Sequence, residues 1–389
     1  MSEKERTMYP PSVKDYLNHR KVRFGDVTYD YYVTLGNSAL QSVYQRLKDL
    51  DADRFVIVAD QGLTPAAIRE IEHHFREFAP TVVLAAQACE KDKSLGTIDE
   101  LAERAIQSGV TRRSVVVALG GGIVGNVAGL LAGLLFRGIR LIHVPTTLLS
   151  MSDSVLSLKQ AVNSRLGKNH LGVFHPPILV WSRIEFMDTL PVEEIQSALC
   201  EMIKNVLAIC PERYDEIAAK LRPDGRYSAA VLADFIDLCI EAKVKVMCDD
   251  HLEKQDGLVL EYGHTIGHAA ELLSEGKLRH GFAIGVGMLA AARISRLLGY
   301  LSESDEAAHA VLLERNGSPT TLPAYLDIEA IMHKVRFDNK RGYVRSRAGY
   351  CDFVLLDGLG RPHYDDKKLI TSVDEDIVRA GVSHVMSQV

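Results

Sequence analysis

Apolar residues in the first half of the chain fall into short runs that are separated by polar, helix-forming stretches. Residues 21–36 alternate between apolar and polar positions, which predicts an antiparallel pair of strands. Four apolar runs then predict buried strands, at residues 54–60, 82–86, 114–119 and 141–145. Between them, Thr64-Pro65 and the capping-box sequence at 97–100 predict helix starts. Strands that alternate with helices are typical of a parallel sheet with helices on both faces.

The spacing of apolar residues changes to a helical period after about residue 185. Helical periodicity runs through residues 191–210, 229–248, 258–274 and 282–298, with one short strand-like stretch at 351–356. We therefore predict an α/β, Rossmann-like nucleotide-binding domain over residues 1–185 and a mainly α-helical domain over residues 186–389. The active site is expected in the cleft between these two domains.

The composition is typical of a globular protein, since 47% of the 389 residues are apolar and 25% are charged. A net charge of −6 argues against nucleic acid or an anionic membrane surface as the main partner. Residues 115–136 carry no charge and are long enough to span a bilayer, but their central glycines predict a buried strand, a turn and a buried helix instead. Six scattered cysteines without a CxxC pair, and an N-terminus without a signal peptide, indicate a cytoplasmic protein with reduced thiols.

A glycine-rich turn is the first candidate binding site. Gly120, Gly122 and Gly125 fit GxGxxG directly after a predicted strand and before a predicted helix. Glycines let the backbone approach a pyrophosphate, and the N–H groups of the helix bind it. The acidic residue usual about twenty positions later is missing, and Asp60 at the end of an earlier strand is a plausible substitute for the adenosine ribose. A glycine turn that only packs under a buried helix is the alternative.

A histidine pair with an upstream glutamate is the second candidate site. His264 and His268 stand four residues apart, so that they project from one face of a helix, and His280 begins the next helix. Neutral imidazoles held in this way commonly bind a catalytic divalent metal when a carboxylate completes the shell. Glu201 lies on the apolar face of a predicted helix, where an unpaired carboxylate would be costly. A simple ion pair with Lys204 and a pair of ordinary polar histidines are the alternatives.

Several lysines lie among apolar residues and are candidates for binding phosphate as point charges. They are Lys159, Lys168, Lys243 and Lys340, of which all but Lys159 are equally compatible with surface charge. A nicotinamide cofactor, a metal and a phosphate pocket together indicate alcohol oxidation that is coupled to further steps.

Seven motifs in order resemble the sugar phosphate cyclases of the dehydroquinate synthase type. They are GGGIVGNVAG, FRG at 136–138, HVPTT at 143–147, LKQAVN at 158–163, GKN at 167–169, CEMIKN and EYGHTIGHA, in a match that extends from about Val56 to Leu356. The resemblance implies a dehydroquinate synthase-like fold, a homodimer, NAD as the cofactor and zinc or cobalt as the metal.

The resemblance also implies roles for individual residues. It places the metal on Glu201, His264 and His280, and it leaves His268 beside the metal shell or in a proton relay. The implied cofactor contacts are Asp60, Glu90, Lys93, Gly121, Gly122, Ile123, Val124, Gly125, Asn126, Thr146, Thr147, Ser157, Leu158, Lys159, Lys168 and Asn169. The candidates for contact with the substrate or its phosphate are Arg137 (of either subunit), Asp153, Lys168, Asn169, Lys204, Lys243, His268 and Lys340.

Departures from the family pattern bear on the substrate. Dehydroquinate synthases usually have an arginine seven residues before the first metal histidine and an amide near the position of Glu261, whereas Gly257 stands at the first place here. Loss of the arginine and gain of a carboxylate disfavour an acidic sugar and favour a neutral hexose phosphate. The stretches EYGHT, SLKQAVN and DNKRGY (338–343) resemble one branch of this family, and that resemblance implies conversion of glucose 6-phosphate to a carbocyclic ketone and phosphate. Lys159 and Glu261 are the predicted catalytic residues. A cyclase for a heptulose 7-phosphate or a dehydroquinate precursor, a metal-dependent polyol dehydrogenase and a non-catalytic nucleotide-binding paralogue are the alternatives.

Overall fold

The computed structural model describes residues 16–37, 39–165, 167–337, 340, 343–345 and 347–386. The chain divides into two compact units, the first comprising Met1–Leu190 and Ser228–Ile240 and the second comprising Pro191–Tyr227 and Glu241–Val389. The chain therefore first passes from one unit to the other after Leu190, shortly after the predicted boundary at residue 185. The assignment of Ser228–Ile240 to the first unit had no signal in the sequence.

The first unit is built on a seven-stranded sheet and a separate hairpin. Its strands are β1 (Tyr16–Phe24), β2 (Val27–Leu35), β3 (Phe55–Asp60), β4 (Thr81–Ala86), β5 (Val115–Gly120), β6 (Arg140–Pro145), β7 (Lys159–Ser164), β8 (Gly167–Phe174) and β9 (Leu179–Arg183). Its helices are α1 (Leu40–Asp49), α2 (Pro65–Arg76), α3 (Leu95–Gln107) and α4 (Gly122–Leu134). The strand order is β1-β2-β9-β6-β5-β3-β4; β1 is antiparallel to β2, and the other neighbours are parallel.

Two apolar cores lie on the two faces of this sheet. Side chains of β3 and β5 alternate between them, with Val56 and Val116 in one core and Ile57 and Val117 in the other. Burial of both faces is why these strands have continuous apolar sequences instead of alternating ones. The predicted elements from β1 to β6 are all present, but β9 and the β7–β8 hairpin were not predicted.

The predicted start of α3 was wrong. The helix begins at Leu95, and the hydroxyl of Ser94 accepts the backbone N–H of Thr97. Ser94 is thus the N-cap, so the Thr97 that we took for the start of a capping box lies within the first helical turn.

The second unit is mainly helical. Its helices are α5 (Val192–Ala208), α6 (Tyr214–Lys220), α8 (His264–Leu273), α9 (His280–Leu297), α10 (Glu303–Arg315), α11 (Ile328–Val335) and α12 (Glu375–Val385), while α7 (Ala229–Met247) begins in the first unit and ends in the second. Two small antiparallel pairs complete it, β10 (Tyr350–Val354) with β13 (Ile370–Asp374) and β11 (Leu356–Gly358) with β12 (Arg361–Pro362).

The helix predicted over residues 258–274 is interrupted, which corrects the sequence interpretation. A 3₁₀ turn covers Asp256–Glu261, Gly263 adopts a left-handed φ of 80°, and α8 begins only at His264. A Cβ on Gly287 of α9 would lie 2.1 Å from the carbonyl oxygen of Gly263, so the close approach of α8 and α9 requires glycine there. This packing brings the first residues of the two helices, His264 and His280, together.

Within the described residues, no helix is long and apolar enough to cross a membrane. The uncharged run at 115–136 is divided between β5 and α4 by the glycine turn, as its glycines predicted.

Candidate metal and dinucleotide sites

A buried carboxylate of α5 faces two imidazoles in the second unit. The Oε1 atom of Glu201 lies 3.5 Å from Nε2 of His264 and 3.3 Å from Nε2 of His280. Its Oε2 atom lies 2.5 Å from Nζ of Lys204, one helical turn further along α5. Among the described residues, Glu201 Oε1 has no hydrogen-bond partner, although the side chain is almost completely buried.

Each imidazole is oriented through its other ring nitrogen. Nδ1 of His264 lies 3.1 Å from the carbonyl oxygen of Tyr262, to which it donates. Nδ1 of His280 lies 2.9 Å from Oε2 of Glu271. Both contacts direct Nε2 towards Glu201, and such partners fix the tautomer of metal-binding histidines.

The surroundings of this cluster shift the pKa values of its three side chains in different directions. Burial alone would raise the pKa of the Glu201 carboxyl, but Lys204 and the two histidines outweigh it and hold that pKa well below its usual range. Burial, followed by the charge of Lys204, lowers the pKa of His264, which favours the neutral imidazole that a metal requires. Burial also acts to lower the pKa of His280, but its contacts with the carboxylates of Glu201 and Glu271 prevail and raise it, so a metal at Nε2 has to displace a proton from this ring.

Two distances in this cluster match those between the ligands of a divalent metal. In a shell with bonds of about 2.0–2.1 Å, ligand atoms lie about 3.3–3.4 Å apart, which is close to the two distances from Glu201 Oε1. One ligand atom each from Glu201, His264 and His280 can be chosen so that all lie within 4.8 Å of one another. Two imidazoles and a carboxylate are ligands that suit zinc and cobalt, and a three-residue set leaves a position open for substrate or water.

We predict that Glu271→Gln weakens metal binding by about 10- to 100-fold, because an amide holds the imidazole of His280 less firmly than a carboxylate does. The dissociation constant is measured by competition with a chromogenic chelator. Glu194→Gln is the matched control, since among the described residues Glu194 pairs with Arg279, the neighbour of His280, and not with a candidate ligand. Equal affinity of the Glu271 variant and the wild type would refute the supporting role.

A second ion pair joins the partly buried Glu261, three residues before His264, to Lys340. Glu261 ends the 3₁₀ turn, and its Oε2 lies 3.2 Å from Nζ of Lys340, whose side chain is buried. Lys204 donates to the neighbouring carbonyl of Leu260 at 2.7 Å. The turn therefore positions a carboxylate and connects it to the helix that carries Glu201. Most of the DNKRGY stretch around Lys340 lies outside the described residues.

A buried tyrosine–histidine pair supports the start of α8. The hydroxyl of Tyr262 donates to Nε2 of His309 at 2.9 Å, and Nδ1 of His309 donates to the carbonyl of Asp305 at 2.7 Å. Both ring nitrogens of a neutral imidazole are thereby used. Burial lowers the pKa of His309 to about 4. The pair anchors the residue whose carbonyl orients His264.

We predict that His309 makes the protein acid-sensitive. Its pKa is about 6.5 in the unfolded chain and about 4 in the folded protein, so the unfolded chain binds the proton more tightly. Stability is therefore full above about pH 6.5 and falls towards pH 4, with a loss of roughly 2 kcal/mol already at pH 5. Denaturant titrations at pH 7.5 and 5 should show a smaller loss for His309→Gln. Buried His143, whose pKa is likewise lowered to about 4, contributes equally to both proteins. An identical pH dependence of the two would contradict the prediction.

The predicted glycine turn connects β5 to α4 in the first unit. Gly121 occupies the N-cap position without a side-chain cap, and the first intrahelical bond runs from the N–H of Gly125 to its carbonyl at 2.9 Å. The first N–H groups of α4, at Gly122, Ile123 and Val124, are thus suited to binding a pyrophosphate. A Cβ on Gly122 would lie 2.8 Å from Oγ of Ser154, so a side chain would crowd this turn.

The turn is tied to its surroundings by predicted contact residues. The side-chain amide of Asn126 donates to the carbonyl of Gly122 at 2.9 Å and accepts the N–H of Ala161 at 2.9 Å, which fixes the β7–β8 hairpin against α4. The N–H of Thr146 donates to the carbonyl of Gly120, and Thr147 exchanges hydrogen bonds with Ser150.

Another group of predicted cofactor contacts meets where β7 ends and β8 begins. Lys93 is buried and donates to Oδ1 of Asn169 at 2.5 Å. Lys168 lies 3.4 Å from the carboxylate of Glu90, and Asn163 bonds to both Glu90 and the backbone of Asn169. Asn163 was not among the predicted residues, although it belongs to the LKQAVN motif.

The remaining predicted site residues lie outside these two groups of hydrogen-bonded contacts. Asp60 ends β3, with its Oδ1 accepting the N–H of Gly62 at 2.8 Å. Leu158 is buried, and Ser157 accepts the N–H of Lys159, the exposed first residue of β7. Of the predicted substrate and phosphate contacts, Asp153 lies in a π-helical turn at Ser150–Ser154. Arg137 is exposed and has a left-handed φ of 70°, whereas Lys243 is buried on α7. His268 contacts the ring of His264, with centroids 5.0 Å apart.

Sequence reasoning missed the supports of the metal cluster. Glu271 stands three residues after His268, a spacing that put it on the histidine face of the helix and could have identified it. For Tyr262 and His309 no local pattern indicates their contact, because they are far apart in the chain.

The comparisons with known proteins agree with the predicted fold. Residues 83–197 match the family 3-dehydroquinate synthase N-terminal, and residues 198–341 match 3-dehydroquinate synthase C-terminal. A 2-deoxy-scyllo-inosose synthase of Streptoalloteichus tenebrarius is 47% identical over 358 residues, covering 92% of this chain and 92% of its own. One of Micromonospora echinospora is 43% identical, covering 94% of this chain and 91% of its own.

A solved structure is similar over almost the whole length. It is a crystal structure of 2-deoxy-scyllo-inosose synthase complexed with carbaglucose-6-phosphate, NAD+ and Co2+, with a TM-score of 0.90 and 37% identity, covering 95% of this chain and 100% of that one. The predicted dehydroquinate synthase-like fold is confirmed.

Proposed function

Because this chain belongs to the family of the 2-deoxy-scyllo-inosose synthases, we propose that it converts glucose 6-phosphate into 2-deoxy-scyllo-inosose and phosphate. The proposal includes NAD and a divalent metal, zinc or cobalt, as cofactors. It also assigns the enzyme to the carbon–oxygen lyases that act on phosphates, at the first step of 2-deoxystreptamine aminoglycoside biosynthesis. We further propose a homodimer and, since all six cysteines are free, a cytoplasmic location.

The observation that carries this proposal is the buried arrangement of Glu201, His264 and His280. Among the described residues, a buried carboxylate whose Oε1 faces two oriented imidazole nitrogens at distances typical of a metal shell is better explained by a cation than by an ion pair with Lys204 alone.

The overall reaction is balanced without an external oxidant. The sugar is oxidised at C4, which acidifies the C5 proton, and it then loses phosphate from C6. It is reduced again at C4, the ring opens, and the C6 enol carbon attacks the C1 aldehyde. When bound, the nicotinamide supplies reversible hydride transfer, and the metal supplies polarisation of the reacting oxygen.

The residues of the first unit would bind the cofactor and the phosphate. The N–H groups of the glycine turn, Asp60 and the group around Lys93 and Asn169 support dinucleotide binding. Lys159, at the first position of β7, would place a positive charge for phosphate and cofactor. Arg137, Asp153 and Lys168 remain candidates for the phosphate pocket.

The residues of the second unit would act on the sugar. Glu261 would accept hydrogen bonds from hydroxyl groups and transfer protons, with Lys340 neutralising its charge. Lys204, Lys243 and His268 are proposed contacts of the substrate oxygens. The Glu261 and Gly257 pair disfavours an acidic dehydroquinate precursor, since no arginine stands at position 257 for a carboxylate.

The experiment that tests the function is incubation of metal-loaded protein with glucose 6-phosphate and catalytic NAD+. Phosphate release is measured by colorimetry, the carbocyclic ketone by mass spectrometry and NADH by absorbance. Phosphate and 2-deoxy-scyllo-inosose without accumulating NADH would support the proposal. Turnover of a heptulose 7-phosphate instead would favour another cyclase of the family, and net NADH without phosphate would favour a polyol dehydrogenase.

A further inference from the structure

Two side chains next to the buried metal cluster form, together with His280 of that cluster, a second group of possible metal ligands. His268 and Glu271 lie three residues apart on α8, and His280 begins α9. One ligand atom from each can be chosen so that all lie within 4.8 Å of one another. Like the buried cluster, this group offers two imidazoles and a carboxylate, which suit zinc or cobalt.

The two groups share His280 through different ring nitrogens. Its Nε2 lies 3.3 Å from Oε1 of Glu201, whereas its Nδ1 lies 2.9 Å from Oε2 of Glu271. A neutral imidazole offers one lone pair, so it can bind an ion on one side only. The two groups are therefore alternative positions for a single ion.

Apart from the shared His280, the ligands of the second group are more exposed to solvent than those of the first group, as capture of an ion from solvent requires. The side chain of Glu201 is 1% exposed and that of His264 is 10% exposed. In the second group, His280 is 29% and Glu271 18% exposed, and His268 is also partly exposed. A hydrated ion can exchange its first water molecules for the partly exposed ligands of the second group, whereas two of the three ligands of the first group are nearly or completely buried.

We propose that His268, Glu271 and Nδ1 of His280 form a loading site that captures a divalent ion from solvent and passes it to Glu201, His264 and Nε2 of His280. The inference rests on the proposed metal-binding role of the buried cluster. During the transfer the bonds from the ion to His268, Glu271 and Nδ1 break, and those to Glu201, His264 and Nε2 form. His280 releases its proton from Nε2 to solvent and takes one up at Nδ1, so that no net charge or electron is transferred by the ring.

A loading role has a kinetic signature that differs from structural support. Removing a ligand used only in transit slows association and dissociation by the same factor and leaves the dissociation constant unchanged, because the equilibrium does not depend on the path. Removing a support of a final ligand instead speeds dissociation and raises the dissociation constant. His268 is a ligand of the second group and not of the first, which makes it the residue to test.

The experiment mixes metal-free full-length protein with Co2+ in a stopped-flow spectrometer and follows the cobalt absorption bands; dissociation is started with excess chelator. We expect His268→Leu to slow both rates by about tenfold with an unchanged dissociation constant, since ligands of a site stabilise its ion by at least this factor. His268→Gln, which keeps a polar side chain, is measured alongside as the milder variant. His73→Gln is the control, because His73 forms an exposed histidine–glutamate pair with Glu77 elsewhere on the chain.

The possible outcomes separate the loading site from the proposed function. Unchanged rates in both His268 variants, or a raised dissociation constant caused by faster dissociation, would overturn the loading site while leaving the buried metal site intact. Failure of the wild-type protein to bind Co2+ would overturn the metal-binding role, and the loading site with it.

Discussion

Glu201→Gln is expected to abolish tight metal binding, with a loss of at least about 100-fold in affinity, and to reduce turnover by more than about 1000-fold. An amide at this position offers the metal a neutral oxygen in place of the only carboxylate of the buried cluster. Metal content after dialysis, measured by mass spectrometry, and phosphate release from glucose 6-phosphate report the two effects.

The same substitution should also destabilise the protein, and this effect must be separated from metal loss. Lys204 is buried and its Nζ lies 2.5 Å from the Glu201 carboxylate, so removing that charge leaves a buried ammonium uncompensated at a cost of about 3–5 kcal/mol. Glu201→Gln/Lys204→Met removes both charges and should recover most of the stability without recovering the metal. Glu193→Gln, on the exposed face of the same helix, is the control. A Glu201→Gln protein that keeps a full complement of tightly bound metal would contradict the assignment.

Glu261→Gln is expected to lower turnover by about 10²- to 10⁴-fold while the protein still folds and keeps its metal, with some loss of stability because the buried Lys340 loses its counter-charge. The substitution keeps the shape of the side chain and its ability to accept a hydrogen bond, but it removes the capacity to transfer a proton. Steady-state phosphate release gives the turnover number, and metal analysis and circular dichroism check the two properties that should not change.

The ion pair with Lys340 provides the control for this prediction. Oε2 of Glu261 lies 3.2 Å from Nζ of Lys340, so part of the effect of Glu261→Gln could arise from the altered environment of the lysine. Glu261→Gln/Lys340→Met removes both charges; if proton transfer by Glu261 is what matters, activity stays low in the double variant. Recovery of turnover there would assign Glu261 a purely electrostatic role. Glu329→Gln, which removes a surface ion pair with Arg379, should behave like the wild type.

The sheet of the first unit could largely be predicted because its signal is local. The strands around Val56 and Val116 are buried on both faces, and such burial requires continuous apolar runs, which are visible in the sequence. The place of β9 could not be predicted. It lies between β2 and β6, parallel to both, and strand order depends on pairings between segments that are distant in the chain.

Helix ends were predicted less well than helices, for a physical reason. Periodicity defines the buried face of a helix, but the end depends on which side chain or glycine satisfies the terminal backbone groups. Ser94 rather than Thr97 caps α3, and the left-handed Gly263 divides the segment that periodicity read as one helix. That division matters for the site, because it makes His264 the first residue of α8.

The sequence by itself determined which chemical groups are available: the glycine turn between a strand and a helix, the spacing of His264 and His268, and the carboxylate of Glu201 on an apolar face. These are local features, and local geometry follows from residue spacing alone. Only the tertiary structure decided that Glu201 faces the Nε2 atoms of His264 and His280, and that Glu271 orients the second of these imidazoles. Those contacts join α5, α8 and α9, and they form because burial of apolar surface packs the helices together, which no local pattern of residues specifies.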